Sequence, residues 1–298
     1  MAQSPVLFDR DLLRVRRARA AAFGPAAFLL DRVAAELSER LSVVLRKFEL
    51  AADLGTPGDA VARALENVVG AVIVVDAQPG LRAERGSLTV AADLEALPFR
   101  DGVFDLAVSA LALQFVNDLP GTLAQIRRTL KADGLFLAAL IGGSSLAELR
   151  EAFATAEAEV EGGASPRIAP FVDVRELGAL LQRAGFALPV TDIDRLTVRY
   201  ASPLALMHDL RRMGATNALA ERRRAPLRRA TLQRMMEIYG ERFADADGRV
   251  RATFEIVWLS GWAPHESQQK PLKPGSAKTR LAVALGAQEV STGEKAGS

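Results

Sequence analysis

From about residue 47 the chain alternates short, almost unbroken apolar runs with stretches in which apolar residues recur at helical spacing. Four runs read as strands: FELAADL (48–54), AVIVVDA (71–77), LTVAADL (88–94) and FDLAVSAL (104–111). A strand that is apolar on both faces has to be covered on both, which is the pattern of a parallel sheet between helical layers. DAVARALENV (59–68) has helical spacing. So has PGTLAQIRRTLKADG (120–134), where Leu123, Ile126 and Leu130 form one stripe and Gly134 stands as the stop. LFLAALIGG (135–143) follows at once as a fifth strand. The alternation predicts an α/β fold, a doubly wound and mostly parallel sheet.

The flanking segments change in character. Residues 9–46, rich in Ala, Leu and Arg, predict two amphipathic helices. After the alternating block, ELREAFATAEAEVEG (148–162) and VRELGALLQRAGF (174–186) read as helices and TDIDRLTVRYAS (191–202) as an edge strand. Two or three helices are expected over 203–243, before a last strand FEIVWLSGWAP (254–264). The organisation is therefore an N-terminal helical cover (1–46), an α/β domain (47–264) with a helical insertion (203–250), and a tail (265–298). That tail is rich in Gly, Pro, Lys, Ser and Gln and is expected to be disordered.

Composition narrows the chemistry. With 298 residues, 49% of them hydrophobic, the chain can bury a full core. Cys 0 removes disulfides, thiolate metal sites and a cysteine nucleophile, and His 2 leaves little for a histidine triad or a histidine metal site. A two-histidine, one-carboxylate iron site would need His208 and His265 together, far apart as they are in the chain. No run of 18 or more uncharged apolar residues suggests a membrane span. Arg14, Arg16, Arg17 and Arg19 resemble a transit-peptide cluster, but Asp9 and Asp11 sit beside them, so a cytoplasmic location is expected, with the mitochondrial matrix as the alternative. A net charge of +2 argues against a nucleic-acid partner, although 211–229 is locally basic.

In a doubly wound sheet, ligands bind beyond the carboxyl ends of the strands where strand order reverses. The first strand ends in Asp53-Leu54-Gly55-Thr56-Pro57-Gly58, the second in Asp76 and the third in Asp93-Leu94. Glycines after the first strand let backbone approach a ligand, and Asp76 suits the paired hydroxyls of a ribose. Asp93 can accept from an exocyclic amine while the Leu94 amide donates to a ring nitrogen. A dinucleotide loop would need glycines at 55, 57 and 60, where the chain has Gly55, Pro57 and Ala60, and Asp59 would repel phosphate. NAD and NADP are disfavoured; a nucleoside carrying an ammonium group fits, as in S-adenosyl-L-methionine. The competing reading makes the strand-end aspartates simple helix caps.

The order AADLGTPGD, VVDAQPG, VAADLEALPF, FDLAVSALALQFVNDLPGTLAQIRRTLKADGLFLAAL resembles the class I S-adenosylmethionine-dependent methyltransferases over about residues 45–145. VNDLPG, LKADGLFLAALIGGSSLAELR, SPRIAPFVDVRELGALLQRAGF, the stretch around LMHDLRRMGATNAL, and WLSGWAPHESQ resemble the assembly-factor 5 branch for respiratory complex I, over about residues 8–268. That branch is related to the biotin-pathway methyltransferase acting on malonyl-carrier protein. The resemblance implies a Rossmann-like methyltransferase fold and transfer of a methyl group to a protein or carrier-bound acceptor. The branch implies, as the alternative, hydroxylation of an arginine on a complex I subunit.

Carried over by position, the methyltransferase pattern implies that Asp53, Gly55 and Gly58 meet the methionine end of the cofactor, Asp76 the ribose, and Asp93 with Leu94 the adenine. It also implies that Ser109 and Ala110 line the methionyl region. The chain departs from the family at Pro57, where a second glycine is usual, and at Gln114-Phe115, where a His-Trp pair is common. Gln114 and Arg167 are the candidates for touching the acceptor. His208 reads as an ordinary helix residue, His265 as a tail residue, and Trp258 and Trp262 as packing residues of the last strand. Arg211, Arg212, Arg222, Arg223, Arg224, Arg228 and Arg229 form a basic, helical segment suited to docking an acidic partner, a complex I subunit or an acyl carrier protein. A binding protein that has lost cofactor use is the remaining reading.

Overall fold

The computed structural model describes residues 6–78, 88–268 and 286. Two helices come first, α1 (Arg10–Ala22) and α2 (Phe28–Ser42), followed by β1 (Phe48–Leu54), α3 (Ala60–Leu65), β2 (Val69–Asp76), β3 (Leu88–Ala91) and β4 (Phe104–Ala110). Next are α4 (Leu119–Thr129), β5 (Leu130–Ile141), α5 (Ala147–Glu161), α6 (Val174–Arg183) and β6 (Ala187–Tyr200). The insertion supplies α7 (Pro203–Arg212) and α8 (Arg229–Phe243) before β7 (Val250–Trp262). Among the described residues, the strands form one sheet in the order β3-β2-β1-β4-β5-β7-β6. β1 to β5 are parallel; β7 runs antiparallel to both β5 and β6.

The doubly wound reading of the sequence holds. β4 is buried at all of its positions, as a central strand covered on both faces must be. On one face of the sheet pack α2, α3, α5, α7 and α8, with Leu37, Leu65, Phe153, Leu206 and Tyr239 in a common core. On the other lie α4 and α6, whose Leu123, Ile126, Leu177 and Leu181 meet Phe104 and Phe136. β6 is the outer strand and alternates half-buried with exposed residues.

Three expectations change. Gly134 does not stop α4. The helix ends at Thr129, whose hydroxyl donates to the Ile126 carbonyl, and Leu130 is already paired with Phe104 as part of β5. Gly134 lies inside that strand at a register shift, where a Cβ would sit 2.9 Å from the Lys131 carbonyl oxygen. Its glycine therefore serves close backbone approach within the sheet. Strand pairing outcompeted a helical stripe that sequence spacing alone extends past it.

The third strand is also shorter than the apolar run implies. β3 closes at Ala91, and Asp93 forms an isolated bridge with Ala96. The insertion contains α7 and α8, but 213–228 between them is irregular, so the expected basic helix is largely a loop. Gly214, at φ +69°, ends α7 in the left-handed conformation. The tail expectation falls, apart from 265–268 and Gly286, outside the described residues.

Trp258 is buried in β7 at 2% exposure, with the Arg40 guanidinium 4.5 Å above its ring. The packing reading of this tryptophan stands. Trp258→Ala should therefore cost about 3–5 kcal/mol of unfolding free energy by chemical denaturation, as expected for a large core truncation. A loss below about 1 kcal/mol would remove Trp258 from the core.

Candidate cofactor and acceptor site

β1 lies between β2 and β4, so strand order reverses there and the crevice opens beyond the carboxyl ends of β1 and β4. Two buried hydrogen bonds hold its floor. Ser109 Oγ donates to the Leu54 carbonyl at 2.7 Å, and the Ala110 amide donates to Thr56 Oγ1 at 3.0 Å. Gly55 turns the chain at φ +70°, its amide donating to the Val75 carbonyl at 2.8 Å. A Cβ there would meet Leu94 Cδ1 at 2.6 Å, so glycine permits Leu94 to close on the loop. Gly58, at φ +72°, faces open space.

The crevice holds two cavities that share Arg17, Asp76, Gln78 and Phe115. The smaller, about 50 Å³, is a slot between Gly55, Leu94, Ala112 and Val116 on the sheet side and Arg10 and Leu13 on α1. The larger, about 260 Å³, has Gly58 and Gln114 at its sheet end and Ile141, Leu146, Phe171 and Phe254 along its wall. Residues of α1, α2 and α7, among them Ala21, Leu30 and Leu210, close it from above.

The predicted residues separate by position. Asp76, Leu94, Gly55 and Gly58 line the cavities, and Asp76 Oδ1 accepts from the Gln78 amide at 2.8 Å. Asp53 is fully buried and lines neither cavity. Ser109 and Ala110, expected on the wall, are instead the buried floor; the chain turns at Leu111, φ 53°, and Leu111 and Ala112 take the wall positions. Asp93 is engaged by the protein itself, accepting from Arg10 and, at 2.9 Å, from the Glu95 amide. Burial pushes its carboxyl up, but the bonds from Arg10 and Glu95 and the charge of Arg10 outweigh that and hold it below the ordinary value.

Gln114 lines the larger cavity. Its Nε2 donates to the Leu111 carbonyl at 2.8 Å, while its Oε1 is buried without a hydrogen-bond partner among the described residues. A buried amide oxygen left this way is suited to accept from a ligand. Arg167 is not part of either cavity. It is paired with the fully buried Glu157, Nε to Oε1 2.8 Å, and lies 5.5 Å from the Phe153 ring centre, so the acceptor role expected for it gives way to a structural one.

Arg17 is the site residue that sequence reasoning missed. It lies over the Phe115 ring at 5.6 Å and borders both cavities beside Asp76. Burial lowers its pKa, and the charge of Asp76 opposes that shift. The sequence showed only an arginine among four on one amphipathic helix. Folding α1 across the crevice is what brings this one into the site.

Helix α1 is fastened at several points. The Leu7 and Phe8 amides donate to Asn117 Oδ1, the Asp9 amide to the Ala218 carbonyl at 2.8 Å, Arg10 binds Asp93, and Arg222 meets Asp9 at 3.0 Å.

The comparisons with known proteins agree with this architecture. A methyltransferase domain family matches residues 52–138. A solved Bacillus halodurans structure assigned as a methyltransferase shares the fold at TM-score 0.52 and 18% identity, covering 76% of this chain and 99% of that one. The fold and the matched domain make this an S-adenosylmethionine-dependent methyltransferase-fold protein. Arginine-hydroxylase NDUFAF5 of Danio rerio is 39% identical over 285 residues, 93% of this chain and 88% of the relative. The chain belongs to the NDUFAF5 family. It is also 38% identical to the malonyl-[acyl-carrier protein] O-methyltransferase of Laribacter hongkongensis over 191 residues, 64% of this chain and 62% of that protein.

Acid should loosen α1. The Leu12 amide and then Arg222 hold Asp9 below 3.8 against the opposing effect of burial, and Asp93 is held below the same ordinary value. Both folded-state pKa values are depressed, so their stabilising contribution is complete above about pH 3.8 and is lost as pH falls through the lower folded values. Carboxyl NMR titration should give midpoints below 3.8 for both, with α1 amide signals moving in step. Midpoints at or above that value would contradict the anchoring described.

Proposed function

We propose that the chain binds S-adenosyl-L-methionine across the two cavities and transfers its methyl group to a protein or carrier-bound acceptor entering the larger one. The observation that carries this reading is the pairing itself: a narrow apolar slot joined at Asp76 to a larger apolar chamber, at the switch point of the sheet. The cofactor, when bound, supplies an electrophilic methyl group. Asp76 accepts from the ribose hydroxyls, Leu94 and Ala112 enclose the flat base, and Gly55 and Gly58 let backbone approach the amino-acid end. Arg10 already occupies Asp93, so the base is held chiefly by the apolar slot and the Leu94 amide. Pro57, which has no N–H, leaves one fewer loop donor to the cofactor than glycine would.

Transfer by in-line displacement depends on alignment of nucleophile, methyl and sulfur, which a closed chamber can enforce with few polar groups. Gln114 Oε1 is placed to accept from the acceptor and orient it. The second reading, hydroxylation of an arginine on the same fold, is favoured by family membership, since the relatives carry that name. The acceptor in that case is a complex I subunit; in the first it includes an acyl carrier protein. A location in the bacterial cytoplasm is compatible with both.

Calorimetry of the purified protein should show binding of S-adenosylmethionine or its demethylated product and none of NAD. Asp76→Ala removes charged-acceptor hydrogen bonds worth about 1.5–3 kcal/mol each, so affinity should fall at least about tenfold. Binding of NAD alone would overturn the proposal. Mass spectrometry of candidate acceptors after incubation should show the gain of a methylene; a gain of one oxygen would select the hydroxylase reading.

A further inference from the structure

Away from the two cavities is an open depression of about 480 Å³ whose wall contains Arg16, Arg167, Arg222, Arg223 and Arg224 with Asp9 and Asn217. It shares no residue with the cofactor and acceptor cavities. Arg16 and Arg17 are neighbours on α1, and the helical turn between them sends one to each side. Three carboxylates answer the arginines: Asp9 binds Arg222 at 3.0 Å, Glu157 binds Arg167, and Glu161 binds Arg223. Five guanidiniums against these three leave two positive charges on one concave surface.

Four of the five arginines are held in position, Arg223 by Glu161. Arg167 is fixed by buried Glu157, with the Ser165 amide donating to the other carboxylate oxygen at 2.7 Å. Arg222 donates to the Leu219 carbonyl at 2.8 Å and Arg16 to the Asn217 carbonyl, while Asn217 Nδ2 donates to the Pro166 carbonyl at 2.8 Å. These bonds tie three separate chain segments into one wall. Burial lowers the pKa of Arg16, the nearby Arg222 and Arg19 lower it further, and Asp9 opposes them. An exposed solvated run has no reason to converge in this way, and long side chains that are already ordered lose less freedom on meeting an anion.

We propose that this depression binds a phosphate group, as free phosphate or as a phosphomonoester. A dianionic phosphate matches the two uncompensated charges, and its oxygens match the planar fork of guanidinium donors. Arg224, exposed, and Arg16 are the principal contacts, because neither is committed to a carboxylate within salt-bridge distance among the described residues. Arg222, Arg223 and Arg167 frame the site and set its charge. The basic segment thereby acquires a defined small-anion site in place of the helical docking face that the sequence implied.

The test is calorimetry of the full chain at fixed ionic strength with inorganic phosphate, phenyl phosphate and acetate. Saturable one-to-one binding of phosphate is expected, weakened about tenfold or more by Arg224→Gln and by Arg16→Gln. Tighter binding of phenyl phosphate than of inorganic phosphate would identify an esterified ligand, and equal binding would identify free phosphate as sufficient. Arg224 is exposed, so Arg224→Gln should keep the parent melting temperature and keeps the test valid if Arg16→Gln disturbs α1. No saturable binding, an equal response to acetate, or binding unchanged in the Arg224→Gln protein would overturn the proposal. Cofactor binding in the Arg224→Gln protein should equal that of the parent, which separates this site from the methyl-transfer reading.

Discussion

Beyond β1 the chain passes to α3 on one face of the sheet, and beyond β4 to α4 on the other, so no helix fills the space between the two strand ends. That divergence follows from right-handed crossovers on either side of a strand-order reversal. The hydrogen bonds from Ser109 to Leu54 and from Ala110 to Thr56 keep the two strand ends together as a floor. Everything placed above it depends on that floor: the Gly55 turn, the Asp76 rim, and the approach of Leu94 and Ala112. Serine and threonine here serve the crevice by facing away from it.

Helix α1 converts an open crevice into two chambers. It supplies one wall of the narrow slot through Arg10 and Leu13 and the boundary between the chambers through Arg17. The same helix carries Asp9 and Arg16 to the arginine-rich depression on its other side. One amphipathic element thus borders both the crevice and the arginine-rich depression. Its fastenings are exposed or half-exposed ion pairs and a few amide bonds, each of which contributes modestly, together with the buried Leu13 and Ala20.

Relatives of the chain carry names from two chemistries, arginine hydroxylation and carrier-protein O-methylation. A shared sheet and crevice do not choose between them, since activity resides in the groups presented to the acceptor. The polar groups on the larger cavity are Gln114, with an unsatisfied buried oxygen, Arg17 beside Asp76, and Asp31, Asp59, Arg63, Gln78, Ser145 and Arg212. Most of the remaining wall is apolar, which suits orientation of a ligand by exclusion of water.

By itself the sequence determined the layered fold, the central strands and the strand-end residues that line the crevice. Unbroken apolar runs at 48–54, 71–77 and 104–111 require cover on both faces, and Gly55, Gly58, Asp76 and Leu94 carry their chemistry in residue type and place at strand ends. Tertiary structure decided whatever depended on distant segments meeting. Leu130 became strand because Phe104 was there to pair with it; Asp93 was taken by Arg10 from 83 positions away; Arg167 turned to buried Glu157; Ser109 rotated beneath the site to reach Leu54. Arg17, one of four similar arginines in the sequence, entered the site only because α1 crosses the crevice. Local pattern encodes burial and backbone freedom, whereas which charged or polar partner a side chain finds is set by packing across the whole chain.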